Sequence, residues 1–176
     1  MSNDVAERVR GTLRAIPDHP KPGIIFQDIT PVLHDGRLFA DAVEAMAAPF
    51  RDAGVTHVVG IEARGFIMGA PLATHIGAGF IPLRKPGKLP WESVAEKYAL
   101  EYGEDSLHAH RDACKAGDRV LIADDVLATG GTAAAAGRLV RGLGAELVGW
   151  TFLLEIGVLK GHEKLAGARW MSLVGV

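Results

Sequence analysis

The chain has one cysteine in 176 residues, Cys114, so it cannot form an internal disulfide. Such a thiol economy fits a cytoplasmic location. It lacks a basic excess: 19 Lys and Arg stand against 21 Asp and Glu, for a net charge of -2. The footprint of a nucleic-acid binder or of a protein drawn to an anionic membrane is therefore missing. No apolar run approaches the length of a membrane-spanning helix. The first residues, MSNDVAER, are polar and acidic, unlike a signal peptide. Repeats and low-complexity tracts are absent. Also missing are Gly-x-Gly-x-x-Gly and Gly-x-x-x-x-Gly-Lys-Ser/Thr, the fingerprints of dinucleotide and nucleoside-triphosphate sites.

What is present is a hydrophobic fraction of 48% in a length suited to one domain. Helical and strand-like segments alternate. Helices are predicted over 4–15, with Val5, Val9 and Leu13 at spacing four, over 37–53, 65–76 and 131–143. Apolar strands are predicted over 57–63, 79–85, 119–123, 146–154 and near 169–175. PDHPKPGIIFQDITP, with four prolines, excludes regular helix. Residues 86–97 read as a long polar loop, and 98–103 with 106–113 as a hairpin. Alternation of this kind predicts an α/β fold with a parallel sheet, whose ligands bind at the carboxyl ends of strands. Three loops qualify, after Ile61, after Leu83 and after Ala123.

The chemistry concentrates in VLIADDVLATGGTAAAA, residues 120–136. Glycines at 130 and 131 let the backbone turn with its N–H groups outward. A helix starting near Thr132 adds the positive end of its dipole, and the hydroxyls of Thr129 and Thr132 can donate. The result is an anion site, best suited to phosphate. A Gly-Gly turn also serves as a plain strand-to-helix connection. Asp124 and Asp125 argue against that reading. Carboxylates beside a phosphate would repel it unless they bind hydroxyls or a cation on the same ligand. A ribose 5-phosphate meets both requirements.

This segment resembles the phosphoribosyl-diphosphate (PRPP) motif of the type I phosphoribosyltransferases. The resemblance extends through PDHPKPGIIFQDITPVL (17–33), EARGFIMGAPLA (62–73), IPLRKPGKLP (81–90), YALEYG (98–103) and LLEIGVLKGHEKL (153–165). KPGIIFQDI, ARGF, RKPGKLP and LEYG together resemble the branch that acts on adenine. It implies the type I fold in one domain over 1–176: a mainly parallel sheet flanked by helices, a hood at roughly 1–35 and a flexible lid at roughly 86–97. The implied reaction transfers phosphoribosyl from PRPP to N9 of adenine, giving AMP and pyrophosphate in purine salvage. Mg2+ is the implied cofactor, held mainly by PRPP with no direct protein ligand, and the implied assembly is a homodimer. Neither nucleic acid nor membrane is an expected partner.

The resemblance also assigns residues. Ala128, Thr129, Gly130, Gly131 and Thr132 take the 5-phosphate, with Asp124 and Asp125 on the ribose. Pyrophosphate falls to Arg64, Arg84, Lys85 and Lys88. Ile25, Phe26, Gln27 and Ile156 surround the base, Gln27 standing where many members carry arginine. Glu101 is the catalytic residue, facing N7 of adenine, and Tyr102 packs nearby. Two other readings keep the fold: a phosphoribosyltransferase for another purine, and a PRPP-binding regulator. His108 and His110 share a strand face but have no third ligand nearby, so a metal site there is disfavoured. His19, His34, His57, His75 and His162 read as structural or surface residues. Trp91, Trp150 and Trp170 show no stacking pattern, and Cys114 reads as an incidental thiol in a polar connection.

Overall fold

The computed structural model describes residues 2–99 and 104–176. Its centre is a five-stranded sheet in the order β4-β3-β7-β8-β9. The strands are β3 (His57–Ile61), β4 (Gly79–Leu83), β7 (Arg119–Leu127), β8 (Glu146–Glu155) and β9 (Arg169–Gly175). All four neighbouring pairs are parallel. Parallel strands need crossovers. Helix α4 (Arg64–Ile76) joins β3 to β4, and α5 (Gly131–Gly142) joins β7 to β8.

The middle strands β3, β7 and β8 are mostly apolar and buried because both sheet faces are covered, and the edge strand β9 is more exposed. Along β7, Leu121 and Ala123 pack beneath α4 and α3 (Gly36–Ala47), with Val9 of α1 (Ser2–Thr12) in the same core. Val120 and Ile122 point the other way, into a core shared with Ala135, Leu139, Trp150 and Phe152. Helix α3 starts at Asp35, whose carboxylate accepts from the N–H groups of Arg37 and Leu38 at 3.1 and 3.0 Å. That is ordinary N-capping.

Two small hairpins flank this body. The first pairs β1 (Arg14–Pro17) with β2 (Ile25–Asp28). It was not expected, because the intervening prolines hide its short strands. The short helix α2 (Thr30–His34) follows it. The second hairpin pairs β5 (Ser93–Ala99) with β6 (Glu104–His110).

Several boundaries differ from the sequence reading. Residues 93–97, expected in the polar loop, form most of β5. Val94 packs on the core, and Glu96 accepts a 2.6 Å hydrogen bond from Arg138 of α5. The helix expected over 37–53 turns into a 3-10 helix at Ala48–Ala53, where Pro49 lies at its start. Strand β7 continues past Ala123 to Leu127, because Asp124, Val126 and Leu127 pair with Phe152, Leu154 and Glu155 of β8. The paired aspartates therefore lie within the strand, and the loop begins at Ala128.

The sheet reverses its winding between β3 and β7. β3 sends the chain outward to β4, while β7 lies on its other side and leads to β8 and β9. A crevice opens at the carboxyl ends of two such strands.

Candidate functional site

At that crevice lies a cavity of about 420 Å³. One wall is residues 62–64, after β3, and another is 124–132, the end of β7 and the loop into α5. Residues 24–27 of the first hairpin, Ile61, Lys85, Ala133, Leu154 and Ile156 complete the lining.

Asp124 and Asp125 occupy the floor. Asp125 is 4% exposed. Its Oδ2 lies 2.9 Å from Nε of Arg64, yet no group meets it with hydrogen-bond geometry. A buried acceptor in that state is a demand for a donor. Asp124 Oδ1 accepts from the N–H of Asp125 at 2.9 Å. Burial, and then the charge of Asp125, push the Asp124 carboxyl well above the usual aspartate range. Such a pair suits a ligand that brings hydroxyl donors or positive charge.

The anion loop is shaped by close backbone contact. Gly130, at φ +74°, caps α5 without any side-chain hydrogen bond to the helix. The first-turn N–H groups of a helix have no partner within it. A Cβ on Gly130 would lie 2.1 Å from the carbonyl oxygen of Gly161, and one on Gly161 would lie 2.1 Å from that of Ala128. Two glycine backbones therefore press the loop against the turn that follows β8.

On the opposite wall, the peptide between Glu62 and Ala63 is cis. Glu62 accepts from Arg84 Nε at 3.0 Å and from the Lys85 N–H at 2.7 Å. Those bonds, Arg84's first, hold its carboxyl below the usual glutamate range. Arg64 sits with its guanidinium 5.4 Å from the centre of the Phe26 ring, joining this loop to the first hairpin. Lys85 Nζ donates to Tyr98 Oη at 2.7 Å and to Asp105 Oδ2 at 2.5 Å. Tyr98 Oη donates in turn to Asp105 at 2.9 Å. Burial opposes the Lys85 charge, but Asp105 and Tyr98 outweigh it and hold the ammonium above its ordinary range.

The structure thus brings Ile25, Phe26, Gln27, Arg64, Lys85, Asp124, Asp125, Ala128, Thr129, Gly130, Gly131, Thr132 and Ile156 to one cavity. Arg84 and Lys88 stand outside its lining: Arg84 is engaged by Glu62, with its guanidinium 5.8 Å from the Phe66 ring centre, and Lys88 is exposed. Glu101 and Tyr102 lie outside the described residues. Tyr98 and Asp105 were missed, although Tyr98 opens the YALEYG segment.

Other expectations change. Cys114 does lie in the connection between β6 and β7, but its side chain is buried against the core, and burial raises its thiol pKa. Trp170 does stack, on the His162 ring at 5.0 Å and 15°. That pairing joins separate elements and leaves no periodic trace in the sequence. Among the described residues no cluster of three or more His, Cys, Asp or Glu could hold a metal ion, and His108 instead meets Ser106 at 3.0 Å. Nor is any helix among them long and apolar enough to cross a membrane.

A sequence model of the phosphoribosyl transferase domain matches residues 32–165. The chain belongs to the phosphoribosyltransferase family. An adenine phosphoribosyltransferase of Myxococcus xanthus is 59% identical over 162 residues, covering 92% of this chain and 88% of that protein. The crystal structure of adenine phosphoribosyltransferase from Rhodothermus marinus matches with a TM-score of 0.94 at 49% identity, covering 99% of both chains. The Saccharomyces cerevisiae enzyme, complexed with adenine and D-2,5-dideoxy-2,5-imino-altritol 1,6-bisphosphate, matches with a TM-score of 0.91 at 39% identity. It covers 97% of this chain and 99% of that one. The fold described above is therefore that of the two solved phosphoribosyltransferases.

Proposed function

We propose that this chain transfers the 5-phosphoribosyl group of PRPP to N9 of adenine, releasing AMP and pyrophosphate in purine salvage. The observation that carries the reading is the meeting, in one cavity, of the Ala128–Thr132 anion loop with Asp124 and Asp125. A phosphate and the hydroxyls of one ribose fit those two features together.

The reaction breaks the bond between C1 of the ribose and pyrophosphate, and positive charge grows on the sugar. Catalysis then requires a held ribose, a neutralised leaving group and a placed nucleophile. The loop residues seat the 5-phosphate, and Asp124 and Asp125 accept from the ribose hydroxyls. Arg64 and Lys85 take the pyrophosphate, joined by Arg84 and Lys88 when the 86–92 segment closes and excludes water. Ile25, Phe26, Gln27 and Ile156, which share the cavity lining, hold the base. Glu101 is assigned to N7, sharing a proton with it and drawing charge from the ring as N9 attacks.

Mg2+ fits this site as a companion of substrate. Mg2+ is usually held by one or two carboxylates together with substrate phosphates rather than by a protein cage. Here it would be held mainly by PRPP, with Asp124 and Asp125 kept for the ribose hydroxyls, and the ion would supply charge neutralisation on the departing diphosphate. The working form is a cytoplasmic homodimer.

The test is incubation with PRPP, Mg2+ and adenine, hypoxanthine or guanine, following AMP and pyrophosphate. Adenine should be preferred at least a hundredfold, since sites built on specific hydrogen bonds reject mismatched edges by up to roughly 10^4. Comparable use of guanine would overturn the assignment to adenine.

A further inference from the structure

The anion loop is held from behind. Its partner is the turn Gly161–Lys164, which follows β8 and lies outside the cavity lining. Gly161 packs so closely on Ala128 and Gly130 that no side chain fits on either glycine. Whatever fixes this turn also fixes the loop.

His162, the next residue, does the fixing. Its Nδ1 lies 2.6 Å from Glu155 Oε1 at the end of β8, so Nδ1 carries the proton that the carboxylate accepts. Its ring lies flat against Trp170 of β9, 5.0 Å between centroids. Glu155 is anchored in turn: it closes the β7–β8 ladder opposite Leu127, and its carbonyl accepts from the N–H of Val176. The Glu155 side chain is mostly buried, 13% exposed, while that of His162 is 38% exposed, so the carboxylate end of the pair is the part shielded from water. Two strands of the rigid sheet thus grip one ring, and the ring places Gly161.

Resting on the reading of Ala128–Thr132 as the 5-phosphate seat, we infer that His162 is a positioning residue for that seat, clamped by Glu155 and Trp170. It touches no substrate. It sets the gap between Gly161 and Gly130, and so the aim of the first N–H groups of α5. Loosening the clamp should weaken whatever binds through the 5-phosphate and spare what binds elsewhere.

The test uses ribose 5-phosphate, which carries the phosphate and ribose without diphosphate or base, together with steady-state kinetics on the full chain. His162→Ala should weaken ribose 5-phosphate binding and raise KM for PRPP roughly tenfold, short of the hundredfold that an ångström of misplacement can cost. The adenine KM and kcat at saturating PRPP should stay within about twofold, since the transition-state contacts remain. His162→Gln keeps a donor for Glu155 and a flat face for Trp170, and should recover most of the loss. Thr132→Ala is the control for the seat itself. If Thr132→Ala weakens ribose 5-phosphate binding and His162→Ala does not, the clamp is refuted. If neither variant alters it, the reading of the seat fails instead. Should His162→Ala not fold, Glu155→Gln and Trp170→Leu, which release one grip each, must show the same selective rise in PRPP KM or the inference falls.

Discussion

Asp124 Oδ1 lies 2.7 Å from the point where a Cβ on residue 65 would stand, so Gly65 at the start of α4 is what lets that carboxylate occupy the floor of the site. Backbone on the far side, the carbonyl of Ala123 at 3.1 Å, closes the remaining room. Gly65→Ala should therefore displace Asp124 rather than be absorbed. We expect a loss of about 1–3 kcal/mol in stability, the usual cost of overpacking. A rise of roughly tenfold in KM for PRPP should accompany it, from the misplaced carboxylate. Thermal melting and PRPP titration read the two effects. Wild-type values in both would show that the contact is slack.

Asp124 also makes a prediction about pH. Burial and its neighbour Asp125 raise the carboxyl above its ordinary range in the folded chain. The folded state therefore binds the proton more tightly than the unfolded state. Stability is greatest below the ordinary aspartate pKa and falls as pH rises through the interval up to the raised folded value. Asp124→Asn keeps the acceptor used by the Asp125 N–H and removes the charge. It should flatten that pH dependence and raise the melting temperature near neutrality by roughly 2–4 °C, about 1 kcal/mol in a domain of this size. Activity should fall sharply in the same variant. Melts across the acid-to-neutral range decide it; an unchanged slope in the variant means that Asp124 is not the group responsible.

Lys85 has three N–H donors, and Tyr98 and Asp105 engage two of them. That leaves one donor for a ligand in the cavity, which Lys85 helps to line. Tyr98→Phe removes one acceptor without changing charge. It should raise KM for PRPP and weaken inhibition by pyrophosphate, each about threefold to tenfold, the worth of one ordinary hydrogen bond, since Tyr98 acts through Lys85. Adenine binding should hold steady. A variant with an unaltered pyrophosphate inhibition constant would be evidence that Lys85 needs no guide.

Glu101 belongs to the segment joining β5 to β6, outside the described residues. Its assignment to N7 predicts a split between two substitutions. Glu101→Leu should slow AMP formation in a single turnover by roughly 10^2 or more, the usual worth of a placed acid. Glu101→Gln, which keeps a donor, should lose less. PRPP affinity should stay level in both, because the seat for the sugar phosphate is untouched. Wild-type turnover by the leucine variant falsifies the role.

The parts of this fold that were legible in the sequence are those governed by one residue's own chemistry. The apolar runs announced β3, β4, β7 and β8, and Gly130-Gly131 announced the start of α5. What was not legible depends on what lies opposite. The length of β7 is set by β8, which pairs with Asp124 as readily as with an apolar residue because the ladder uses backbone groups alone. Ser93–Lys97 read as polar loop because one face of β5 is exposed and the other meets α5 through Glu96 and Arg138. The candidate site showed the same division. Its loop and paired acids stood in one short segment, whereas the Lys85–Tyr98–Asp105 and Glu155–His162–Trp170 groups each join residues far apart in the chain.

The contact between Arg64 and Asp125, at 2.9 Å, changes what binding means here. On the proposed function Arg64 takes the diphosphate, and it already has a counter-ion from the protein, so the incoming anion would exchange one partner for another. The net gain is a difference between two ion contacts, and added salt should erode affinity less than the number of basic residues implies. On the proposed function the exchange would also release Asp125, leaving its oxygen for the sugar. One end of the ligand would thereby free the group that recognises the middle of it. A molecule carrying both diphosphate and ribose should then be favoured over either fragment by more than the sum of their separate affinities.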